Sequence, residues 1–397
     1  MMTISRHYVL AAGGTGGHLI PAYALARELQ QRGHHIALVT DERGAKIPGI
    51  FEGDQVHILP PGRIAGGPIG WLRGMRGIWA GRSMALNLFE NFQPSAVIGF
   101  GGYPALPTLL AAQKARIPTI IHEQNAVLGR VNRFMAGRVN AIATAYKQVD
   151  RLNPRLKDRV HLVGNPVRDA VLGLRGENYP PLLEDGVFRV LVTGGSQGAR
   201  VLSEVVPDGL AMLPVNLRRR LQVVQQCREE DIEGVRAKYA EHGIPAELAT
   251  YMNDLPEKLG WSHLFIGRAG ASTIAELTVA GRPAILVPLP IATDDHQTAN
   301  AREMVKAGGA RSIRQEAFTP KELAKQIQKM ALDPQALENA ALAAHKCGYP
   351  NAVRDLADLV ESFGAAPLAD IIRVAPAAKG QALGGEALAR EAEGQEA

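Results

Sequence analysis

One pattern occurs twice in this chain and constrains its fold more than any other. An apolar strand, a glycine-rich turn and a helix run as YVLAAGGTGGHLIPAYAL from Tyr8, and the same unit returns as RVLVTGGSQGARVLSEVV from Arg189, about 181 residues later. A strand that feeds a helix through such a turn opens a doubly wound parallel sheet, and its recurrence divides the chain into two Rossmann-like halves. Strand-like runs at 7–11, 35–40, 96–100, 118–123, 141–145 and 160–164 alternate with helical stretches, the first an amphipathic one over 18–31. This alternation predicts a parallel sheet covered by helices. A polar, proline-bearing stretch over 175–186 interrupts it, and the pattern restarts at Phe188 with further strands at 221–226, 263–267 and 283–289. The expected fold class is α/β, with two Rossmann-like parallel-sheet domains.

Composition removes several alternatives. Hydrophobic residues make up 46% of the 397 residues, enough for cores in both halves. Lys and Arg exceed Asp and Glu by only 44 to 39, so the charge balance does not argue for nucleic acid, and no nucleic-acid-binding signature is present. Cys227 and Cys347 have no CxxC partner, which speaks against a disulfide framework or a thiolate metal site and suits a reducing compartment. The apolar run Tyr8–Ala12 is too short for a secretory signal. The longest apolar stretch, 96–112, is broken by glycines and prolines and falls short of the ~20 residues of a spanning helix. Residues 365–397 carry 11 alanines and no aromatic residue and are expected to be a disordered tail.

The chemistry-bearing residues cluster at strand ends. Gly13-Gly14-Thr15-Gly16-Gly17-His18 follows a strand and opens a helix, where unpaired backbone N–H groups and the positive helix end suit a phosphate. The motif is neither GxGxxG nor a Walker A loop, although Asp41 ends the second strand as a ribose-binding acid would in a dehydrogenase. Gly194-Gly195-Ser196-Gln197-Gly198 repeats the geometry, and a third helix start, Gly267 to Thr273, leads into Ile274-Ala275-Glu276, whose carboxylate could grip two ribose hydroxyls. Three such starts in one chain point to an activated-nucleotide site. Gln297, after Asp294-Asp295-His296, is read as a hydrogen-bonding group for sugar hydroxyls, and no metal site is expected, because no coherent ligand set accompanies these acids. His122-Glu123-Gln124-Asn125 closes a strand at the sheet edge where open α/β folds bind ligands.

Between Gln55 and Phe89 the chain has no acidic residue, yet Arg63, Arg73, Arg76 and Arg82 alternate with apolar residues including Trp71 and Trp79. Arginine mixed with tryptophan suits an anionic membrane interface. The alternative is a solvated basic face with part of the core behind it.

In this order, GGTGGH, GFGGYP, HEQN, GNPVR, GGSQGAR, GRAGASTIAE and DDHQTANA resemble the MurG family, the bacterial N-acetylglucosaminyltransferases of peptidoglycan synthesis, over roughly residues 7–365. The resemblance implies a GT-B architecture, two Rossmann-like domains facing across a cleft. On that reading residues 1–168 form the acceptor and membrane side, 169–348 the UDP-GlcNAc donor domain, and 349–364 a C-terminal helix returning to the first domain. It further implies transfer of GlcNAc from UDP-GlcNAc to the 4-hydroxyl of the muramoyl sugar of lipid I, with inversion, giving lipid II. The implied location is peripheral, on the cytoplasmic face of the bacterial inner membrane. No cofactor is implied. Carried over by motif, the donor contacts are Thr15, Gly16, Gly17, Asn125, Arg168, Ser196, the backbone at Met252, the segment Ala271, Ser272, Thr273, Ile274, Ala275 and Glu276, and Gln297. Gly101, Gly102 and Tyr103 fall on the acceptor side. The departing UDP gathers negative charge that helix N-termini and Arg168 can stabilise, while His18, or else Glu123, is the candidate base for the acceptor hydroxyl. Two other readings are an epimerase-like GT-B enzyme acting on UDP-sugars and a non-catalytic nucleotide-sugar-binding membrane scaffold.

Overall fold

The computed structural model describes residues 5–14, 16–45, 55–60, 67–183, 185–195, 198–331 and 333–364. Thr15, Arg63, Ser196 and the expected tail 365–397 therefore lie outside the described residues, as does the side chain of Trp71.

The first half is a seven-stranded sheet of β1 (His7–Ala11), β2 (His35–Thr40), β3 (Gln55–Ile58), β4 (Ala96–Gly99), β5 (Thr119–Glu123), β6 (Ala141–Thr144) and β7 (Val160–Leu162). The second is a six-stranded sheet of β8 (Phe188–Thr193), β9 (Leu221–Gln226), β10 (Ala246–Ala249), β11 (Leu264–Gly267), β12 (Ala284–Leu286) and β13 (Ala310–Ser312). Strand orders are β3-β2-β1-β4-β5-β6-β7 and β10-β9-β8-β11-β12-β13, with every pairing parallel. The interior strands are apolar on both faces because helices cover both sides. Along β1, Tyr8 and Leu10 enter one core layer with Leu25 and Ile98, and Val9 and Ala11 enter the opposite layer with Val97 and Leu109, as the two-residue period of a strand requires.

Three edge or near-edge strands, β3, β10 and β13, carry no strand signal in the sequence: QVHI, AELA and ARS are short and half polar. The last helix, Ala352–Gly364, lies back on the first sheet, where Leu356, Ala357 and Val360 are fully buried beside Leu29 and Ile98. An ionic cluster fixes that return: Arg32 meets Glu28, Asp358 and Glu361 at 2.8, 2.6 and 2.7 Å, and His34 Nε2 lies 2.7 Å from Glu361.

The strand order of each sheet reverses between its first and fourth strands in sequence, β1 beside β4 and β8 beside β11. Ligands of open α/β sheets bind outside the carboxyl ends of the strands at such a switch point. All of the glycine motifs singled out in the sequence follow these four strands.

Candidate active site

A cleft of about 1050 Å³ runs between Gly16, Gly17 and Ile20 of the first helix (Gly16–Gln31) and a wall contributed by the second half. That wall includes Gly194, Gly195, Gly198, Met252, Arg268, Ala271, Ser272, Thr273, Glu276 and Gln297. The helix Arg200–Ala211 and the helix Ala271–Ala280 start at this cleft with no side-chain cap, from Ala199 and Gly270. The first N–H groups of a helix have no intrahelical partner, so uncapped starts leave donors directed at whatever occupies the cleft. Ser272 Oγ is buried there without a hydrogen-bond partner among the described residues. Glycine is required on the opposite side because the turns after β1 and β4 abut: a Cβ on Gly102, which has φ +74°, would lie 2.8 Å from the Gly13 carbonyl oxygen.

Glu276 and Arg168 meet in this cleft as a bidentate pair, Nε to Oε1 at 2.8 Å and the terminal guanidinium nitrogen to Oε2 at 3.0 Å. The Glu276 side chain is only 7% exposed and that of Arg168 34%. Burial pushes the Glu276 carboxyl above the ordinary glutamate range, and Arg168 pulls it back only in part. Gln297 accepts at Oε1 from the backbone N–H groups of Leu289 (3.0 Å) and Ala269 (3.2 Å), which leaves its amide nitrogen as the group it can offer. Within the segment 271–276, Ala271, Ser272, Thr273 and Glu276 line the cleft, while Ile274 and Ala275 turn to the apolar cluster with Val171 and Val279.

At the carboxyl end of β5, two of the expected residues bond to neighbouring protein groups. Asn125 does not line the cleft: its N–H and its amide nitrogen donate to Glu123 Oε1, and its Oδ1 accepts from Asn300 at 3.1 Å. Asn300, which the sequence reading did not single out, also accepts from Ala126 N–H at 2.8 Å and donates to the Ala269 carbonyl, joining the two halves. Glu123 is 1% exposed, and its carboxylate accepts from Asn125, from Gly129 N–H (2.8 Å) and from Asn132 Nδ2 (2.9 Å). A carboxylate so occupied holds the loop after β5.

His18 stands in the first turn of the first helix with Nδ1 3.0 Å from Gln124 Oε1. Its ring lies against Gly101, where a Cβ would sit 3.1 Å from His18 Cε1. Gln124 in turn reaches the buried His122. Tyr103 follows on the same loop with its hydroxyl buried and without a partner among the described residues, and burial pushes that phenol up to about 12.

The acidic residues that suggested other chemistries are spent on structure. Asp41 accepts from the N–H of Gly44 (2.9 Å) and Gly14 (3.3 Å) and pairs with Arg43, and these contacts outweigh its burial and hold its carboxyl low. It thus closes the first glycine turn, so the dehydrogenase analogy loses its ribose acid. Asp294 faces Arg151 at 2.9 Å and Arg133 at 3.6 Å. Among the described residues no group of three or more His, Cys, Asp or Glu is placed to hold a metal ion.

Arg73, Arg76 and Arg82 of the arginine-rich segment stand on the helix Gly67–Phe92. Ile78, Ala85 and Phe89 turn inward, while Leu72 (51%), Trp79 (63%) and Met84 (45%) are exposed beside the exposed Arg73 and Arg76. The Arg82 guanidinium carbon lies 5.4 Å from the Trp79 ring centroid. Among the described residues no helix is long and apolar enough to cross a membrane.

Two Rossmann-like sheets with their switch points facing one cleft, three glycine-bearing turns and a buried acid in its wall define a GT-B fold with a ligand cleft. Residues 8–144 match the glycosyltransferase family 28 N-terminal domain and residues 189–360 the family 28 C-terminal domain, so the chain belongs to glycosyltransferase family 28. It is 72% identical over 374 residues to a UDP-N-acetylglucosamine–N-acetylmuramyl-(pentapeptide) pyrophosphoryl-undecaprenol N-acetylglucosamine transferase of Novosphingobium aromaticivorans, covering 94% of this chain and 96% of that protein. The protein of the same name from Erythrobacter litoralis is 64% identical over 99% of this chain and all of its own length. Among solved structures, that of Acinetobacter baumannii MurG superposes with a TM-score of 0.74 at 29% identity, over 90% of this chain and 99% of that one. A UDP-GlcNAc 2-epimerase from Neisseria meningitidis (TM-score 0.64, 16% identity, 89% of this chain and all of that one) shares the fold alone.

Proposed function

We propose that this glycosyltransferase moves GlcNAc from UDP-GlcNAc to the 4-hydroxyl of the muramoyl sugar of lipid I, with inversion at the anomeric carbon, forming lipid II for peptidoglycan. The observation that carries the reading from the site is the cleft itself, with the Glu276–Arg168 pair in one wall and the first helix start at Gly16 and Gly17 on the other side; His18 follows in that helix's first turn, turned to Gln124. A carboxylate has about four lone-pair sites; Arg168 occupies two, and the remaining two can accept from the 2′- and 3′-hydroxyls of a ribose. Arg168 thereby opposes the burial that raises this carboxyl. The diphosphate then sits against the helix start at Gly16 and the uncapped starts after Ala199 and Gly270, whose N–H groups and positive ends stabilise the charge that UDP gathers as it leaves. The Gln297 amide meets the GlcNAc hydroxyls, and the backbone at Met252 borders the base. His18, against Gly101 on the acceptor side, takes the proton from the attacking hydroxyl.

The acceptor's lipid tail keeps the reaction at a membrane. The exposed face of the helix Gly67–Phe92, with Arg73, Arg76 and Trp79, is read as the docking surface for anionic lipid, and on this reading the protein works peripherally at the cytoplasmic side of the inner membrane. Residues 1–168 serve acceptor and membrane, 169–348 the donor, and 349–364 close back on the first domain. The test is UDP release measured with and without a lipid I analogue. Release that requires the analogue supports transfer; release, or conversion of UDP-GlcNAc to its epimer, without it would contradict the proposal.

A further inference from the structure

The β5 edge holds a chain of side chains that donor binding does not use. His122 is fully buried, and its Nε2 lies 2.9 Å from the Gly164 carbonyl oxygen, which can only accept; Nε2 therefore carries the proton. Gln124, also buried, places its amide nitrogen 3.0 Å from His122 Nδ1 and 3.1 Å from the His122 carbonyl oxygen. Both neighbours are acceptors, so both amide hydrogens are committed, and turning the amide over would set oxygen against oxygen. That orientation leaves Gln124 Oε1 facing His18 Nδ1 at 3.0 Å.

We propose that His122 and Gln124 are positioning residues that lock the His18 imidazole in its Nδ1–H tautomer, with the Nε2 lone pair as the base that takes the acceptor proton. The inference rests on reading His18 as the base and adds what makes it competent. Which nitrogen of a histidine is available is set by the hydrogen bond at the other, and here a carbonyl with no donor capacity, acting through two side chains, dictates that Nδ1 donates. Burial presses His122 down to about 4, so it stays neutral over the working range and always presents a lone pair to Gln124. Gly101 completes the device, since any Cβ there would press on the ring. In the step itself, the O–H bond of the acceptor breaks as its oxygen bonds to the anomeric carbon, the C–O bond to UDP breaks, and the proton passes to His18 Nε2.

The test uses the full-length chain with 15N-labelled histidine, the His18 signals being assigned by their loss in His18→Gln. In the wild type Nδ1 should be protonated and Nε2 bare. Gln124→Met removes the acceptor while keeping the side-chain length; it should give a mixed tautomer and a kcat lower by about 10- to 100-fold, with KM and calorimetric affinity for UDP-GlcNAc within about twofold, because Gln124 does not line the donor cleft. If Gln124→Met binds UDP-GlcNAc normally and leaves tautomer and kcat unchanged while His18→Gln is inactive, the relay is wrong although the base is right. Wild-type turnover by His18→Gln would remove the base reading itself.

Discussion

Replacing Arg168 by Met isolates the electrostatics of the cleft wall. The substitution keeps much of the aliphatic stem and deletes the guanidinium that meets Glu276 at 2.8 and 3.0 Å. Breaking a fully buried pair costs ~3–5 kcal/mol. Arg168 is 34% exposed, and water can enter the vacated space beside a carboxylate that is 7% exposed, so the penalty is scaled to about 2 kcal/mol at pH 8. At 2–4 °C per kcal/mol for domains of this size, the melting temperature should fall by about 4–8 °C. The pH dependence is the sharper signature. Burial already raises the Glu276 carboxyl in the folded protein. A raised folded value means that its contribution to stability is fully present below the unfolded value and is lost as pH rises through the folded one. Without Arg168 the folded value rises further and the window widens upward. The penalty of Arg168→Met should therefore be greatest at pH 8 and shrink towards pH 5, as the buried carboxyl takes up its proton. Thermal melts of both proteins across that range decide the matter. A penalty that is constant with pH, or that grows towards acid, would refute the reasoning.

Three further outcomes are expected. Glu276→Ala should weaken UDP-GlcNAc binding by about 10- to 150-fold, the equivalent of ~1.5–3 kcal/mol for hydrogen bonds to a charged group, and an unchanged calorimetric titration would remove the ribose assignment. Turnover should persist in EDTA, because helix starts and Arg168 supply the positive potential; loss of activity on chelation with recovery on adding Mg²⁺ or Mn²⁺ would contradict this. Replacing Arg73, Arg76 and Arg82 together by Gln should reduce binding to anionic vesicles by about two orders of magnitude at moderate salt, at ~1 kcal/mol per arginine, with affinity for soluble UDP-GlcNAc retained; equal co-sedimentation of wild type and variant would reduce the face to a solvated one.

The parts of this fold that repeat a local pattern were readable from the chain. The strands at 7–11 and 188–193 are apolar on both faces and run into glycine turns, so pattern and burial agree. β3, β10 and β13 were not readable, because a short peripheral strand such as ARS is held by its neighbour's backbone rather than by its own side chains. At the site, Gly16, Arg168, Ser272, Glu276 and Gln297, spread over about 280 residues of chain, line one cleft. The HEQN run shows where sequence reasoning stopped. Four polar residues at a strand end signal a site, but successive side chains of a strand point to opposite faces, and only coordinates separate Glu123, tied to Gly129 and Asn132, from Gln124, which reaches His18. Asn300 escaped notice because its partners, Asn125 and Ala269, are distant in sequence. In the arginine-rich helix the split between Ile78, buried, and Trp79, 63% exposed, follows from helical periodicity once the inward face is known.

The central claim is most directly tested by following the sugar itself. Purified full-length protein would be incubated with UDP-GlcNAc labelled in the GlcNAc ring and a lipid I analogue in anionic vesicles, and the lipid fraction separated and analysed. Label should enter the lipid fraction in a 1:1 ratio with UDP released, as a disaccharide joined through the muramoyl 4-hydroxyl with the anomeric configuration inverted. Label that stays in the aqueous phase, as unchanged or epimerised nucleotide sugar, would contradict it.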